Sequence, residues 1–387
     1  MNLQSLLEKY PHVQVASEAD NRAILEYYHK SPLSKGKDSL QYLRGNDFFA
    51  FIKERSNDYI VFLLKDDNEK IQGVAIVSYR EGYINGEKTT IGYVGDLRIS
   101  LNRKLIKEWR GMLTEFFQNT HKMSDTFHCK YYYTALIHSN IYSKINLINT
   151  KIKNVKFKEL ASYNMYNIIG AFQLPKLSTN EKFTIEWGSS STKEMIVDFL
   201  NSKHKNLQFG HNQSVEIERK IQSLDNFTVE NFIIIKSNNV IKSINYVWDP
   251  VSTKQVVLSR IPSIFNFIHY LSKLIPFLNM RSLPKKEKPF NILYLSQFTL
   301  CPTLSEAEKE QVFKLSCHFL FKQEKFFFNV LAFADFTKYS LCRKMKGFIY
   351  QKIPMGMYTV HSISDNNETT FPVSLNNMPP YFEMELV

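Results

Sequence analysis

The sequence has 387 residues, 44% of them hydrophobic, which is too long for one ordinary core and predicts two domains of about 150–200 residues. A charged fraction of 22% without long low-complexity tracts excludes a largely disordered chain. The sequence has no run of about 18 uncharged apolar residues, so a transmembrane helix is not expected. The net charge of +12 is typical of a lysine-rich solvated surface or of a protein with an anionic partner. Because the basic residues are spread along the chain, a nucleic-acid partner is not expected.

The N-terminal residues do not form a charged segment followed by an apolar run, so a signal peptide is not expected. Neither the cysteines nor the histidines have the spacing of zinc ligands, and no C-x-x-C motif occurs. We therefore expect a reduced, cytoplasmic protein without a metal site. The four cysteines are Cys129, Cys301, Cys317 and Cys342.

The predicted elements begin in the same way in two halves of the chain, and such internal similarity is the signature of a repeat. Each half opens with a short strand-like run, a serine followed three residues later by an acid, and an apolar pattern of helical period. These helix starts are Ser17 with Asp20 and Ser191 with Glu194. The opening predicts a strand followed by a helix in each half.

Two strand-like runs joined by a polar turn follow in each half, and β-branched and aromatic residues dominate them. The runs are residues 59–65 and 71–79 in the first half, and residues 232–236 and 240–248 in the second. The second run of the first half continues to Asn85-Gly86, the strongest short hairpin signal, because both turn residues tolerate positive φ. We therefore expect a hairpin at this position.

Three further blocks match between the halves, and the first of them is followed by a helical stretch in each half. The blocks are residues 93–100 with 294–301, 131–137 with 326–332, and 157–168 with 349–360, and the helical stretches are residues 102–117 and 305–321. The offset between matched positions rises from 170 at Ile71 and Ile241 to 201 at Leu97 and Phe298. This rise predicts an insertion in the second copy near residues 260–289.

A polar stretch at residues 173–182 contains the proline, serine and asparagine that are typical of a domain boundary. It predicts a first domain of residues 1–175 and a second of residues 176–387. One repeat reads strand, helix, three strands, helix, strand, helix, strand, which predicts an α/β fold with helices on both faces of a mixed sheet.

The block at residues 92–113 resembles the central motif of the GNAT superfamily of acetyl-CoA-dependent N-acetyltransferases. In that family a strand ending in Leu-Arg-Val-x-Pro leads through an Arg-x-x-Gly-x-Gly loop into a helix. Leu97, Arg98 and Ile99 match the strand end, and Arg103 matches the arginine of the loop. The resemblance implies two tandem GNAT-like domains, each an α/β unit, with acyl-CoA bound on the first.

The resemblance also implies how the cofactor is bound. In the family the strand end splays from its neighbour and pairs with the pantetheine arm, while the loop and the helix N-terminus hold the pyrophosphate. The donor is acetyl-CoA or a longer acyl-CoA. Carried over to this sequence, the cofactor-binding residues are Leu97, Arg98, Ile99, Arg103, Lys104, Leu105 and Asn140.

The sequence departs from the family at the phosphate loop, where no glycine follows Arg103. Arg103, Lys104 and Lys107 supply side-chain charge in place of bare backbone. The second copy departs further, because acids open its helix at Glu306 and Glu308. Acids stabilise a helix N-terminus but repel a pyrophosphate, so the second copy is expected to be a degenerate domain that has lost CoA binding.

Two residues are candidates for proton transfer during acyl transfer to an amine. Asp96 stands next to the splay point and would act directly or through a water, and its alternative role is an ion pair with Arg98. Tyr142 follows the fifth strand, where the family often has a general-acid tyrosine. The family's spacing from Asn140 falls on Leu147 instead, so an ordinary packing role for Tyr142 stays open.

The insertion carries apolar residues at helical spacing, followed by a lysine-rich stretch. This pattern is typical either of a helix packed on the second copy or of a lid or membrane-surface element spanning residues 264–288. The apolar positions include Ile264, Phe267, Ile268 and Leu271.

The sequence therefore favours an acyl-CoA-dependent N-acyltransferase that acts on the amine of a small molecule or peptide bound between the copies. A catalytically inactive GNAT-fold binding or scaffold protein is the alternative, because the loop glycines and the helix tyrosine are missing. A Fem-type transferase, which takes aminoacyl groups from charged tRNA, fits the net charge, but the sequence lacks that family's long helical-hairpin insertion.

Overall fold

The computed structural model describes residues 2–30, 40–100, 102–140, 148, 154–172, 182–258, 270, 278–281, 284, 288–341, 345–364, 367–371, 373–375 and 377–383. The α-helices in this part of the chain are α1 Leu3–Leu7, α2 Asn21–Lys30, α3 Phe48–Arg55, α4 Arg103–Asn119, α5 Lys193–His204, α6 Gln213–Ser223 and α7 Glu306–Lys322.

The strands are β1 Val13–Val15, β2 Leu40–Leu43, β3 Asp58–Lys65, β4 Ile71–Ile84, β5 Glu87–Ile99, β6 Tyr131–Ile137, β7 Val155–Phe172, β8 Thr184–Trp187, β9 Gly210–His211, β10 Phe232–Ser237, β11 Val240–Trp248, β12 Gln255–Leu258, β13 Leu278–Met280, β14 Pro289–Phe290, β15 Ile292–Leu300, β16 Val330–Phe336, β17 Phe348–Ser364 and β18 Asn367–Thr370. Fifteen of them form one mixed sheet, whose main order is β1-β3-β4-β5-β6-β17-β7-β16-β15-β11-β10-β8. A smaller sheet has the order β14-β12-β2.

The last strand of each half lies among the strands of the other half. β17 inserts between β6 and β7, and β7 in turn pairs with β16. The two exchanged strands are antiparallel to each other, from Phe348 opposite Ala171 to Ser362 opposite Val155. The two halves therefore share one continuous sheet and complete each other's pairing.

Helices cover both faces of this sheet, which explains why its strands are apolar on both sides. In β3, Phe62 and Leu64 pack on the face of α1 and α4, while Val61 and Leu63 pack on the face of α2 and α3. In the second half, α7 lies on one face and α5 and α6 lie on the other. Each half thus has the three-layer arrangement that the sequence predicted.

The strand registers repeat between the halves. β5 has a bulge at Asp96, where φ is +50°, and β15 has a bulge at Gln297, where φ is +48°. A non-glycine residue at positive φ is uncommon, so the coincidence carries information. The two positions differ by 201 residues, which is the offset predicted for this block from Leu97 and Phe298. The helices that follow, α4 and α7, each have 17 residues.

The expected hairpin at Asn85-Gly86 is confirmed, since β4 and β5 are joined there and Ile84 faces Glu87. Both turn residues have positive φ, 54° and 83°. Asn85 also accepts a hydrogen bond from Gln208 on its side-chain oxygen, at 2.7 Å. This contact ties the hairpin to the second half of the chain.

Two details of the predicted match between the two halves of the chain are wrong. β5 pairs Ile91 with Tyr131, and β15 pairs Ile292 with Val330, so Val330 is the counterpart of Tyr131. The run beginning at Phe326 is therefore matched four residues too early. Its consecutive aromatic residues have high strand propensity, but they precede the strand, and Phe327 is exposed.

The helix start of the second half is also two residues earlier than expected. Ser189 and Thr192 form the capping box there, whereas Ser17 and Asp20 form it in the first half. The Thr192 hydroxyl accepts the backbone N–H of Ser189 at 2.9 Å, which is the role of the acid in the first half. Because threonine takes the place of the acid, the serine-to-acid spacing points to Ser191 and not to Ser189.

Most of the predicted insertion lies outside the described residues, including its helical positions Ile264, Phe267, Ile268 and Leu271. Within the described part, β13 pairs with the end of β7, and β14 belongs to the smaller sheet. That smaller sheet also pairs β2 of the first half with β12 of the second, a connection that the sequence did not predict.

A buried ion cluster connects β4, α6 and the C-terminal segment. Arg80 contacts the carboxylate of Glu383 and lies 3.4 Å from an oxygen of Glu216. Lys220 donates to Glu383 at 2.9 Å, and Arg219 donates to Glu216 at 3.0 Å. We call these five residues the Arg80 cluster. The cluster has three cations and two carboxylates, and each cation contacts at least one carboxylate.

Gly92 is expected to be intolerant of a side chain. A Cβ placed at Gly92 would lie 2.3 Å from two ring atoms of Tyr132, which is fully buried. Gly92→Ala should therefore lower the free energy of unfolding by about 1–3 kcal/mol, measured by urea unfolding. Gly111→Ala is the control, since the nearest atom there is 3.1 Å away on the half-buried ring of Tyr10 and alanine favours a helix. Equal stability of the two variants would contradict this packing.

Candidate functional site

β5 and β6 separate after a short parallel contact. The pairing joins only Ile91, Gly92 and Tyr93 to β6, although β5 continues to Ile99 and β6 to Ile137. The bulge at Asp96 bends β5 where the strands diverge. Among the described residues, the backbone beyond Tyr93 has no strand partner on the β6 side, so an extended ligand could pair there as an added strand.

The side chains at the end of β5 point to alternate faces of the sheet. Leu97 and Ile99 pack against the core beneath α4. Arg98 is buried on the opposite face, where its guanidinium carbon lies 3.7 Å from the ring centre of Tyr28 and Nη1 donates to the Tyr28 carbonyl at 3.4 Å. What this strand end offers to a ligand in the cleft is therefore its backbone.

Helix α4 begins beside this strand end, and Asn102 caps it. The Asn102 side-chain oxygen accepts the N–H groups of Lys104 at 3.1 Å and Leu105 at 3.4 Å. The Leu105 side chain is buried in the core. Of the expected phosphate ligands, Leu105 thus offers only an N–H that the cap already holds, whereas the side chains of Arg103 and Lys104 are exposed.

Of the two candidate site residues that follow β6, the structure describes only Asn140. Asn140 lies three residues beyond the strand, is half-buried, and donates its backbone N–H to the Ile137 carbonyl at 3.0 Å. This position is at the mouth of the cleft on the β6 side. Tyr142 lies outside the described residues, so its role stays a prediction from the sequence.

Asp96 forms an ion pair, but its partner is Arg44 and not Arg98. One nitrogen of Arg44, Nη2, donates to both carboxylate oxygens, at 2.9 and 2.8 Å. Burial alone would raise the pKa of Asp96, but the charges of Arg44, Arg98 and Arg55 outweigh burial and hold its pKa below the usual value. A charged, doubly hydrogen-bonded carboxylate is a poor proton acceptor, so the geometry argues against Asp96 as the base.

A second carboxylate, which the sequence reading missed, lies near this ion pair. Glu54 is 1% exposed at the end of α3, and its Oε1 accepts the Thr253 hydroxyl at 2.7 Å. Its other oxygen is buried without a hydrogen-bond partner. Burial raises the pKa of Glu54 to about 7, against the opposing effects of Thr253, Arg44, Lys220 and Lys254. A carboxylate of this kind can accept a proton near neutral pH.

Helix α3 also places Arg55 beside the separating strands. The Arg55 guanidinium carbon lies 3.9 Å from the ring centre of Tyr93, the last residue of β5 that pairs with β6. The sequence carried a signal for these inward charges, since Glu54 follows Phe51 by three residues and shares its helical face. Their partners Thr253 and Lys254 come almost 200 residues later, which no local pattern reveals.

The equivalent position of the second half has the opposite charge. β15 and β16 also separate after three pairs, but α7 begins with a capping box of Ser305 and Glu308. Lys182 donates to Glu308 at 2.6 Å and, together with Ser305, lowers the pKa of Glu308 to about 2. A carboxylate thus occupies the helix start that a phosphate would need.

The described residues contain no group of three or more His, Cys, Asp or Glu side chains placed to hold a metal ion. None of the helices among them is both long enough and apolar enough to cross a membrane.

Comparison with known proteins gives likeness in structure only. No protein-family model matches the chain, and no curated protein matches its sequence. Among solved structures, Saccharomyces cerevisiae N-myristoyltransferase with bound myristoyl-CoA and inhibitors is similar over 96% of this chain and 86% of its own, with a TM-score of 0.56 and 9% identity. Another structure of that enzyme with myristoyl-CoA has a TM-score of 0.54 at 8% identity, and the match covers 94% of this chain and 90% of that one.

A third similar structure is a GCN5-related glucosamine N-acetyltransferase region in a fungal multi-domain GH3 β-N-acetylglucosaminidase. The TM-score is 0.53 at 9% identity, and the match covers 90% of this chain but only 38% of the fungal protein. Identities this low establish the fold alone. Together with the mixed sheet, the bulged central strand and the helix that follows it, these likenesses show that the chain has the α/β GNAT-like fold.

Proposed function

We propose that the chain is an acyl-CoA-dependent N-acyltransferase built from two GNAT-like units, residues 1–175 and 176–387, with the acyl-CoA bound on the first. The observation that carries this proposal is the separation of β5 from β6 at the Asp96 bulge. It leaves a strand edge open beside a helix start with exposed cations. The myristoyl-CoA bound in a protein of similar fold supports an acyl-CoA as the donor.

In this proposal the pantetheine arm pairs with the backbone of Leu97, Arg98 and Ile99. The phosphates contact the side chains of Arg103 and Lys104, because Asn102 already holds two of the helix N–H groups. The second unit does not bind CoA, since Glu308 occupies the equivalent helix start.

Transfer requires the acceptor amine to lose a proton as its nitrogen attacks the thioester carbonyl and the carbon–sulfur bond breaks. Glu54 is the proposed proton acceptor, directly or through a water. It is the buried carboxylate near the cleft with an oxygen free of hydrogen bonds. Asp96 is instead a positioning residue that holds Arg44 beside the site.

Calorimetry with acetyl-CoA, longer acyl-CoA and free CoA tests this proposal. The double variant Arg103→Ala/Lys104→Ala should bind CoA at least about 10-fold more weakly than the wild type, a loss of about 1.4 kcal/mol. Wild-type affinity should also fall between low and moderate salt, because exposed charges are screened. Equal affinities of wild type and variant would show that the phosphates bind elsewhere.

A non-catalytic GNAT-fold binding protein is the second candidate, and the Asn102 cap favours it. An amide that holds the helix N–H groups leaves fewer backbone donors for a pyrophosphate. In that case none of the three CoA compounds would bind to the wild type. Asn102→Gly, which removes the side-chain cap, should then also bind no CoA. If the first unit is instead a CoA site that the cap weakens, Asn102→Gly should bind CoA more tightly than the wild type.

A further inference from the structure

The cleft between β5 and β6 closes at its inner end, at the pair of Tyr93 with Tyr133. This pair is the last one that joins β5 to β6, and the two strands diverge beyond it. In the proposed function the phosphates lie at the mouth of the cleft, beside Arg103 and Lys104, and the pantetheine arm follows the open edge of β5 inward. The acyl group then points at the closed end, so the side chains there decide how long it can be.

Tyrosine rings lie on both faces of the sheet at this closed end. On the α4 face, a Cβ placed at Gly92 would lie 2.3 Å from the ring of Tyr132. On the opposite face, which α5 and α6 cover, a Cβ placed at Gly95 would lie 2.4 Å from the ring of Tyr93. Each ring therefore occupies the space beside β5 that a side chain, or an acyl group, would otherwise fill.

The tyrosine rings are packed against further aromatic side chains. Tyr132 is fully buried, and its ring centre lies 5.2 Å from that of Phe117 on α4. On the other face, the ring centre of Tyr133 lies 5.1 Å from that of Tyr93 and 4.7 Å from that of Phe209. Protein interiors are packed as densely as organic crystals, so an acyl chain that continued past Tyr93 would have to displace several of these rings.

One aromatic side chain at the closed end comes from the far end of the sequence. Phe382 is 9% exposed, and its ring centre lies 6.5 Å from that of Tyr93 and 6.3 Å from that of Tyr133. It also lies 5.3 Å from the ring centre of Tyr163 on β7. The Phe382 ring thus covers the last pair of β5 and β6 from the side of the sheet opposite α4.

Both neighbours of Phe382 are held in place by hydrogen bonds. The carboxylate of Glu383 accepts the ammonium group of Lys220 at 2.9 Å. The backbone N–H of Tyr381 donates to the carbonyl of Gln208 at 2.8 Å. Phe382 is therefore fixed from both sides, and its ring does not move aside without breaking these contacts.

We propose that the donor is a short-chain acyl-CoA such as acetyl-CoA, and that Phe382 limits the length of the acyl chain. This inference rests on the proposed function. It separates this chain from the N-myristoyltransferase of similar fold, whose bound myristoyl-CoA carries a long acyl chain. A hydrophobic pocket discriminates against one added methylene by roughly 10-fold or more, so a few packed rings suffice to select a short acyl group.

Calorimetry with acetyl-, butyryl- and octanoyl-CoA on the full-length protein tests this inference. The wild type should bind acetyl-CoA at least about 10-fold more tightly than octanoyl-CoA, because the longer chain has to displace packed rings. Phe382→Ala leaves an apolar cavity at the closed end of the cleft, and such a cavity can hold an apolar group. This variant should bind octanoyl-CoA at least about 10-fold more tightly than the wild type and acetyl-CoA with unchanged affinity.

Phe321→Ala is the matched control. Phe321 on α7 is 8% exposed and packs on the ring of Phe328 in the core of the second half, with ring centres 5.4 Å apart. The control should keep the wild-type order of affinities. If Phe382→Ala does not fold, Phe382→Leu replaces it and should raise the affinity for octanoyl-CoA by a smaller factor.

The outcomes separate this inference from the proposed function. Octanoyl-CoA that binds to the wild type as tightly as acetyl-CoA would overturn the inference and leave the proposed function standing. Affinities that are the same in the wild type and in the folded Phe382 variant would do so too. If none of the three acyl-CoA compounds binds to the wild type, the proposed function fails, and the limit on chain length fails with it.

Discussion

Glu54→Gln should slow acyl transfer by at least about 100-fold and, at pH 8, stabilise the protein by about 2–3 kcal/mol. The loss of rate follows because glutamine cannot accept the amine proton, and general-base catalysis contributes roughly 10²–10⁴. The gain in stability follows because burial raises the pKa of Glu54 from 4.5 to about 7, so the folded state bears the cost of a buried charge above that pH. If Glu54→Gln is slower in acyl transfer but more stable, the carboxylate of Glu54 is retained for function and not for stability.

The sign of the pH dependence follows from the raised pKa. Between about pH 4.5 and pH 7 the folded protein holds a proton on Glu54 that the unfolded chain has lost. The stability from this group is therefore fully present below about pH 4.5 and is lost as the pH rises through 7. Urea unfolding of the wild type should show this decline, and Glu54→Gln should reduce it.

The kinetic counterpart is the pH profile of kcat/KM, which should rise through about pH 7 in the wild type as Glu54 loses its proton. Asp96→Asn is the comparison, because this change weakens the Arg44 ion pair without removing Glu54. It should lower the rate but keep the midpoint near pH 7. A Glu54→Gln variant with wild-type rate would remove Glu54 from the mechanism.

Arg80→Met should lower the free energy of unfolding by about 2–4 kcal/mol. Arg80 contacts both Glu383 and Glu216 inside the protein, and its removal takes a charged contact from each buried carboxylate, leaving Lys220 as the partner of Glu383 and Arg219 as the partner of Glu216. Methionine keeps much of the side-chain volume, so the loss reports charge more than packing. Chemical denaturation at pH 7.5 measures the effect.

Lys88→Met is the control for this change, because Lys88 pairs with Glu81 at 2.7 Å in a largely exposed position. Such pairs contribute less than about 1 kcal/mol. The double variant Arg80→Met/Glu383→Gln should not recover stability, since Glu383 still pairs with Lys220 after Arg80 is removed. If Arg80→Met were no more harmful than Lys88→Met, the Arg80 cluster would have to be solvated.

The sequence predicted the local elements well and their partners poorly. The helix expected at residues 102–117 is Arg103–Asn119, and the one expected at 305–321 is Glu306–Lys322, because clear caps and apolar periodicity define them. The bulges at Asp96 and Gln297 agree with the offset between the halves. The exchange of β7 and β17 was not predicted, because local propensity does not specify which distant strand completes an edge.

The sequence predicted only part of the candidate site, because contacts between distant segments leave no local pattern. The strand end and the charged helix start lie within one continuous segment, so a motif could find them. Glu54 and the cations around the Phe51 ring depend on contacts between α3 and Thr253 or Lys254. Buried charges also run against the rule that apolar residues form the core, so a pattern based on hydrophobicity passes over them.

The exchanged strands have a consequence for the order in which the chain folds during synthesis. β6 and β7 lack their shared neighbour until β17, residues Phe348–Ser364, has left the ribosome. Two strand edges of the nascent first half are therefore exposed until nearly all of the second half has been made, and open edges pair readily with other chains. Contacts separated by about 200 residues also imply slow closure of the sheet. We therefore expect this protein to depend on chaperones more than a pair of independent domains of the same size would.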